Sequence, residues 1–118
     1  MECLCTSMLI EEWVDLLRNY KGTIVVEGIK DQQALRELGI DSLSLKGPLF
    51  ELVENVATQG TKVLILTDLD KEGRKLYGKL KKDFVRHGVV IDSFFREWLF
   101  KNTKLRQIEG LVTYLGSH

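Results

Sequence analysis

Short, purely apolar runs separated by helix-length segments limit what this chain can fold into. Ile24-Val25-Val26 and Val63-Leu64-Ile65-Leu66 lack the polar alternation of a strand with one wet face, so they read as strands covered on both sides. Around them lie stretches with apolar residues at three- and four-residue spacing. Leu9, Trp13, Leu16, Leu17 and Tyr20 predict an N-terminal helix capped by Thr6 or Ser7, with Glu11 and Glu12 in its first turn. Asp31 to Leu38 predicts a second helix, with Ala34, Leu35 and Leu38 inward and Gly39 as its stop. A weaker strand at Leu43 and Leu45 leads to Gly47-Pro48, where the proline suits the first position of a helix running to Gly60 through Leu49, Leu52, Val53, Val56 and Ala57. A long helix from about Glu72 to Arg86 carries Leu76, Leu80 and Phe84 on one stripe, and Val89-Val90-Ile91 follows Gly88 as a fourth strand. Strands alternating with helices imply right-handed crossovers, and so an α/β fold with a mainly parallel four-stranded sheet flanked by helices. The 118 residues fit one domain, with the N-terminal helix and a C-terminal helical segment after Asp92 packed on the core at the sheet edge.

Composition removes several function classes. Seventeen basic and seventeen acidic side chains cancel, so no global field favours nucleic acid or an acidic membrane. The cancellation hides a polarity: residues 1–60 hold ten acids and five bases, and residues 61–118 hold seven acids and twelve bases. The longest apolar runs span four residues, far below the roughly 20 needed to cross a bilayer. No membrane association is expected. No basic segment followed by an apolar core and a cleavage site opens the chain, so the expected location is cytoplasmic. Cys3 and Cys5 lie too close for an unstrained disulfide, and neither they nor the distant His87 and His118 complete a zinc set.

Chemistry concentrates where two strands end. One gives Val26-Glu27-Gly28-Ile29-Lys30-Asp31, the other Leu66-Thr67-Asp68-Leu69-Asp70-Lys71-Glu72-Gly73. Ligands of parallel sheets bind beyond the carboxyl ends of the strands. A carboxylate there is costly unless it is paired or meets a cation. Asp68 and Asp70, two apart on an extended backbone, are expected on the same side. With Glu27 they offer hard oxygen ligands suited to magnesium, and Gly28 and Gly73 are expected to let backbone approach a phosphate. Glu27 alone, or the Asp68/Asp70 pair alone, reads slightly better as an ordinary cap or turn; the two sets at matching strand ends, each with a glycine, favour a site.

The combination Val25-Val26-Glu27-Gly28 with Asp31, then Thr67-Asp68-Leu69-Asp70 and Gly73, with Asp68 forty-one residues after Glu27, resembles the Toprim domain over about residues 20–100. Toprim domains occur in bacterial primases, topoisomerases, OLD-family nucleases and the ribonuclease that matures small ribosomal RNA. The resemblance implies a small stand-alone Toprim protein. It makes Glu27 an acid/base residue that also touches metal, and Asp68 and Asp70 magnesium ligands, with two ions per subunit. It further implies nuclease-like cleavage of RNA or DNA in RNA processing or DNA repair. Two positions depart from the topoisomerase pattern: Leu69 stands where proline is usual and Arg74 where an acid follows the glycine. Tyr20, Tyr77 and Tyr114 fall in helical patterns and read as packing residues, so strand passage is not implied.

Beside this site the basic residues acquire a use. Lys71, Arg74, Lys75, Lys79, Lys81, Lys82 and Arg86 crowd the helix that starts at the D-x-D segment, and Lys75, Lys79, Lys82 and Arg86 share a face opposite its apolar stripe. Gly28, Lys71, Gly73, Arg74, Lys75 and Lys79 are therefore the candidate phosphate contacts, although a solvated face has the same pattern. Two alternatives stand beside the nuclease. One is a binding module for nucleic acid or protein that has kept the fold without turnover. The other is a haloacid-dehalogenase-like phosphatase with Asp68 as nucleophile and Asp70 as acid/base, which leaves Glu27-Gly28 unexplained and lacks a further adjacent acidic pair in the 48 residues after Asp70.

Overall fold

A computed structural model describes residues 8–60 and 62–116. Helix α1 (Ile10–Arg18) precedes β1 (Thr23–Val26), α2 (Ile29–Glu37), β2 (Leu43–Ser44), α3 (Leu49–Gln59) and β3 (Lys62–Leu66). Then come α4 (Lys71–Arg86), β4 (Val90–Asp92), α5 (Phe94–Asn102), a 3-10 turn (Ile108–Gly110) and α6 (Leu111–Gly116). The strands form one four-stranded sheet in the order β2-β1-β3-β4, and every pairing is parallel. The α/β architecture expected from the alternation is therefore present.

Alternate residues of the central strands feed two cores. Ile24, Val26, Leu64 and Leu66 face α1, α2, α5, the 3-10 turn and α6, while Val25, Val63 and Ile65 face α3 and α4. All seven are buried, as two-sided strands require. The stripe of α4 behaves as its spacing predicts: Leu80 and Phe84 are fully buried and Leu76 packs beside them. Gly88 then turns the chain at a φ of +75°, a conformation that favours glycine, and returns buried Val89 to the same core.

Four expectations need correction. The inward face of α1 is Ile10, Trp13, Val14 and Leu17, whereas Leu9 and Leu16 are exposed. Leu9 is the N-cap residue, and its backbone N–H donates to Glu12 Oε1 at 2.7 Å; the expected caps Thr6 and Ser7, like Cys3 and Cys5, lie outside the described residues. Pro48 caps α3 instead of occupying its first helical position. The last strand begins one residue late, at Val90, because Val89 completes the turn after α4.

The fourth correction concerns the segment after Asp92. It covers a face of the sheet instead of its edge: Phe95, Trp98, Leu99, Phe100, Ile108 and Leu111 are buried with Ile24, Val26, Leu64 and Leu66. Trp13 joins the two ends of the chain. Its ring stacks on Trp98 at 6.3 Å, meets Phe95 edge-on at 6.1 Å, and its Nε1–H donates to Phe95 O at 3.1 Å. Trp13→Ala should cost about 3–5 kcal/mol through the cavity and the lost bond. Leu16→Ala should stay within about 0.5 kcal/mol, as exposed substitutions do. Urea unfolding of both variants checks the reassigned face.

Candidate active site at the carboxyl end of the sheet

The register of β1 on β3 pairs Val26 with Leu66, so the residues following each strand emerge side by side. Glu27 leaves β1 and accepts a hydrogen bond from the Asp68 backbone N–H at 2.8 Å through Oε1. The two acidic segments identified in the sequence are thus directly joined. Asp68 is buried, and its Oδ1 accepts from Ile108 N–H at 2.9 Å. Asp70 is exposed and caps α4, its Oδ1 accepting from Gly73 N–H at 2.8 Å. Asp68 is therefore tied to the C-terminal segment, whereas Asp70 is tied to the helix that follows it. Both lie beyond Leu66, the last residue of β3, on the loop leading into α4.

The two glycines differ. A Cβ on Gly73 would fall 2.0 Å from Asp68 O, so the chain packs against itself there, and the Gly73 N–H is already spent on Asp70. Its lack of a side chain lets the D-x-D loop close onto α4; the phosphate approach expected of it is not how that space is used. At Gly28 no described atom beyond its chain neighbours and its own helix lies within 4 Å of where a Cβ would stand, so a side chain there would meet open space, although its N–H is bonded to Asp31 Oδ2.

Three residues that were not singled out as site groups complete the surroundings. Asp31, in the first turn of α2, is only 5% exposed; Oδ2 accepts from Gly28 N–H at 3.2 Å, and Oδ1 has no hydrogen-bond partner. Glu109, brought by the 3-10 turn, adds its negative charge to Asp31 and Asp68. Arg96, on α5, donates from Nε to Thr67 O and from Nη2 to Asp68 O, each at 2.9 Å. Its guanidinium lies 4.5 Å from the centre of the Tyr77 ring and 5.4 Å from that of Phe100. An acid four residues after Glu27 was visible as part of the motif. Nothing in the spacing of Arg96 or Glu109 marks them, because they reach the site only through the folding of the C-terminal segment.

Burial and mutual repulsion act together on the acids. Burial pushes Glu27 up, and the charges of Asp68 and Asp70 add to this, while the Asp68 N–H and Arg96 pull it back. Burial likewise raises Asp68, with the Ile108 N–H opposing and Asp70 and Glu109 reinforcing. Asp31 is pushed up to about 6, chiefly by burial and then by the charge of Asp68. Burial draws the Arg96 guanidinium down, and the positive charge of Arg74 works in the same direction.

Carboxylate oxygens are the donor type that a hard divalent ion takes. Glu27, Asp68 and Asp70 each spend one oxygen on a backbone N–H, and no described group donates to the other; Asp31 adds a buried, orphaned oxygen. The set is not drawn tight: among the described residues, no three His, Cys, Asp or Glu side chains stand close enough to enclose an ion. The basic residues of α4, from Lys71 to Arg86, are all exposed, and none forms an ion pair among the described residues.

An all-parallel α/β sheet with Glu27 bonded to the Asp68 backbone at its carboxyl end defines the structural class. Relatives give the family. The chain is 34% identical to a UPF0292 protein of Thermococcus sibiricus over 109 residues, covering 91% of this chain and 86% of the relative. It is 35% identical to a UPF0292 protein of Pyrococcus abyssi over 105 residues, covering 87% and 79%. It belongs to the UPF0292 family. A solved structure of a protein from Aquifex aeolicus superposes with a TM-score of 0.80 at 30% identity, over 86% of this chain and 96% of that one. No family model matches the chain.

Two tests address the geometry. Gly73→Ala should destabilise the protein by about 3 kcal/mol or more, because backbone and not a flexible side chain fills the space, whereas Gly28→Ala should be nearly neutral. Chemical denaturation of the pair separates them. Asp31 sets a pH dependence. An ordinary carboxyl in the unfolded chain ionises near 3.8, but the folded one holds its proton to about 6, so the folded state binds the extra proton between those values. Asp31 therefore makes stability fall as pH rises from about 4 to 6, and the loss is complete above that range. Melting temperature measured across the interval should show this component, and Asp31→Asn should remove it.

Proposed function

We propose that this protein is a magnesium-dependent Toprim protein that cleaves nucleic-acid phosphodiester bonds. The observation that carries the reading is the 2.8 Å bond between Glu27 and the backbone of Asp68, which links the two acidic motifs at neighbouring strand ends. Asp68 and Asp70 would hold magnesium, with Glu27 at its margin, through the carboxylate oxygens that no described donor occupies. Magnesium, when bound, polarises a phosphate and balances charge on the attacking and leaving oxygens. Glu27 is the acid/base group: it is partly withdrawn from water, and burial raises its pKa above that of an ordinary carboxyl, the direction that suits a proton donor. Exposed, unpaired cations on α4, Lys71, Arg74, Lys75 and Lys79 first among them, supply contacts to a phosphate backbone. Gly28 leaves the floor of the crevice open to a phosphate.

A second reading has its own support. The loose spacing of the acids favours a module that binds nucleic acid without cutting it. Incubation with structured RNA, single strands and nicked duplex, with and without magnesium, decides between the two. Cleavage that stops with EDTA is the result expected; binding without cleavage on every substrate would leave the module. On the active substrate, Asp68→Asn should lose most magnesium binding by calorimetry, since an amide is a poorer partner for a hard cation. Glu27→Gln should keep more of the metal while losing turnover, because an amide cannot exchange the proton. If Glu27→Gln removes metal binding as fully as Asp68→Asn, then Glu27 is a ligand and not the acid/base group.

A further inference from the structure

We propose that Arg96, with Arg74 beside it, is an anion clamp that holds a phosphate of a nucleic-acid strand against the D-x-D loop. The inference rests on the reading that this site acts on nucleic acid, and it adds a residue from outside every motif identified in the sequence.

Arg96 is held on several sides. Two of its five N–H groups are fixed on Thr67 O and Asp68 O at 2.9 Å, and its plane rests near the rings of Tyr77 and Phe100. That leaves three N–H groups with no described acceptor. The charge is half-withdrawn from water, yet it forms no ion pair with Asp68, Glu27 or any other described acid. A brace for the loop would need only the two carbonyl bonds. A cation that is immobilised, partly desolvated and unpaired is built to meet an anion, because its ordering cost is already met before binding. Arg74, exposed in the first turn of α4, lies near enough for its charge to act on Arg96. Two neighbouring guanidinium groups repel each other, and a phosphate bound by both turns that repulsion into attraction. The planar fork of arginine matches two phosphate oxygens, which a lysine cannot do. The position adjoins Asp68, so the phosphate held here is next to the acidic crevice and not elsewhere on the basic face of α4.

The test measures affinity of the full chain for a short fluorescent single strand, as RNA and as DNA of the same sequence, across a potassium chloride series in EDTA. Each lost phosphate contact should lower the salt slope of log affinity by about 0.7 for a single strand. Arg96→Gln and Arg74→Gln should each lower the slope by up to that amount, and the double variant, which loses the one phosphate held between them, by about that amount in all. Arg96→Lys should keep the slope while weakening affinity, since the charge stays and the fork is lost. Lys21→Gln, at the opposite end of β1, should leave the slope unchanged. A mere brace would alter melting temperature without moving the slope, so unchanged slopes in Arg96→Gln and Arg74→Gln beside a salt-dependent wild type overturn the clamp. Should Arg96→Gln fail to fold, Arg74→Gln decides alone, because its side chain is exposed. A wild type that binds neither strand in a salt-dependent way overturns the nucleic-acid reading, and the clamp with it.

Discussion

The parallel pairing of β1 with β3 is the constraint from which the site follows. Once Val26 lies opposite Leu66, the residues after each strand must leave the sheet together, and Glu27 comes within hydrogen-bonding distance of the Asp68 backbone. The register is secured by apolar burial on both faces, since a slip by one residue would exchange the two core sets. Ile24, Val26, Leu64 and Leu66 belong to one core, and Val25, Val63 and Ile65 to the other. Placement of the acids is thus a by-product of hydrophobic packing, and it is fixed as firmly as the cores are.

What the pairing assembles is electrostatically unfavourable. Glu27, Asp31 and Asp68 are all partly or fully removed from water; burial is the largest cause raising each pKa, and the charges of neighbouring acids, Asp70 and Glu109 among them, add to it. The backbone offsets part of this through the N–H groups of Gly28, Asp68 and Ile108, each of which meets a carboxylate oxygen. Arg96 adds a smaller offset to Glu27 and Asp68 through its charge, with no ion pair to either. One oxygen of Asp31 stays unsatisfied. Buried polar groups are normally paired, and the exceptions collect where function tolerates local instability.

The C-terminal segment ties the site to the global fold. Its aromatic residues pack with Trp13 of α1, so both ends of the chain close over one face of the sheet. From that anchorage α5 sends Arg96 to the carbonyls of Thr67 and Asp68, and the 3-10 turn sends a backbone N–H to Asp68 and places the charge of Glu109 near Asp31 and Asp68. The Leu69 N–H bonds to Arg106 O at 2.8 Å, so the D-x-D loop is held from this side as well as from α4. Loosening α1 or α5 would therefore reach the acids through two or three bonds.

The sequence by itself determined the strands, the order of the elements and the acidic pairs at the ends of β1 and β3. Those features are local: β-branched runs, three- and four-residue spacing, and acids beside glycines lie within a few residues of one another. It could not show that Leu16 points outward while Val14 is buried, because two adjacent apolar stripes compete on one short helix and only packing selects between them. Nor did it reveal that Gly73 is small for the sake of the Asp68 backbone, or that Arg96 and Glu109 border the site. Each of these depends on a contact between segments distant in sequence, with Arg96 and Glu109 lying 28 and 41 residues beyond Asp68. Such neighbours are chosen by the packing of α5 and the 3-10 turn onto the sheet, a long-range balance of buried area and backbone hydrogen bonds that leaves no periodic mark in the sequence.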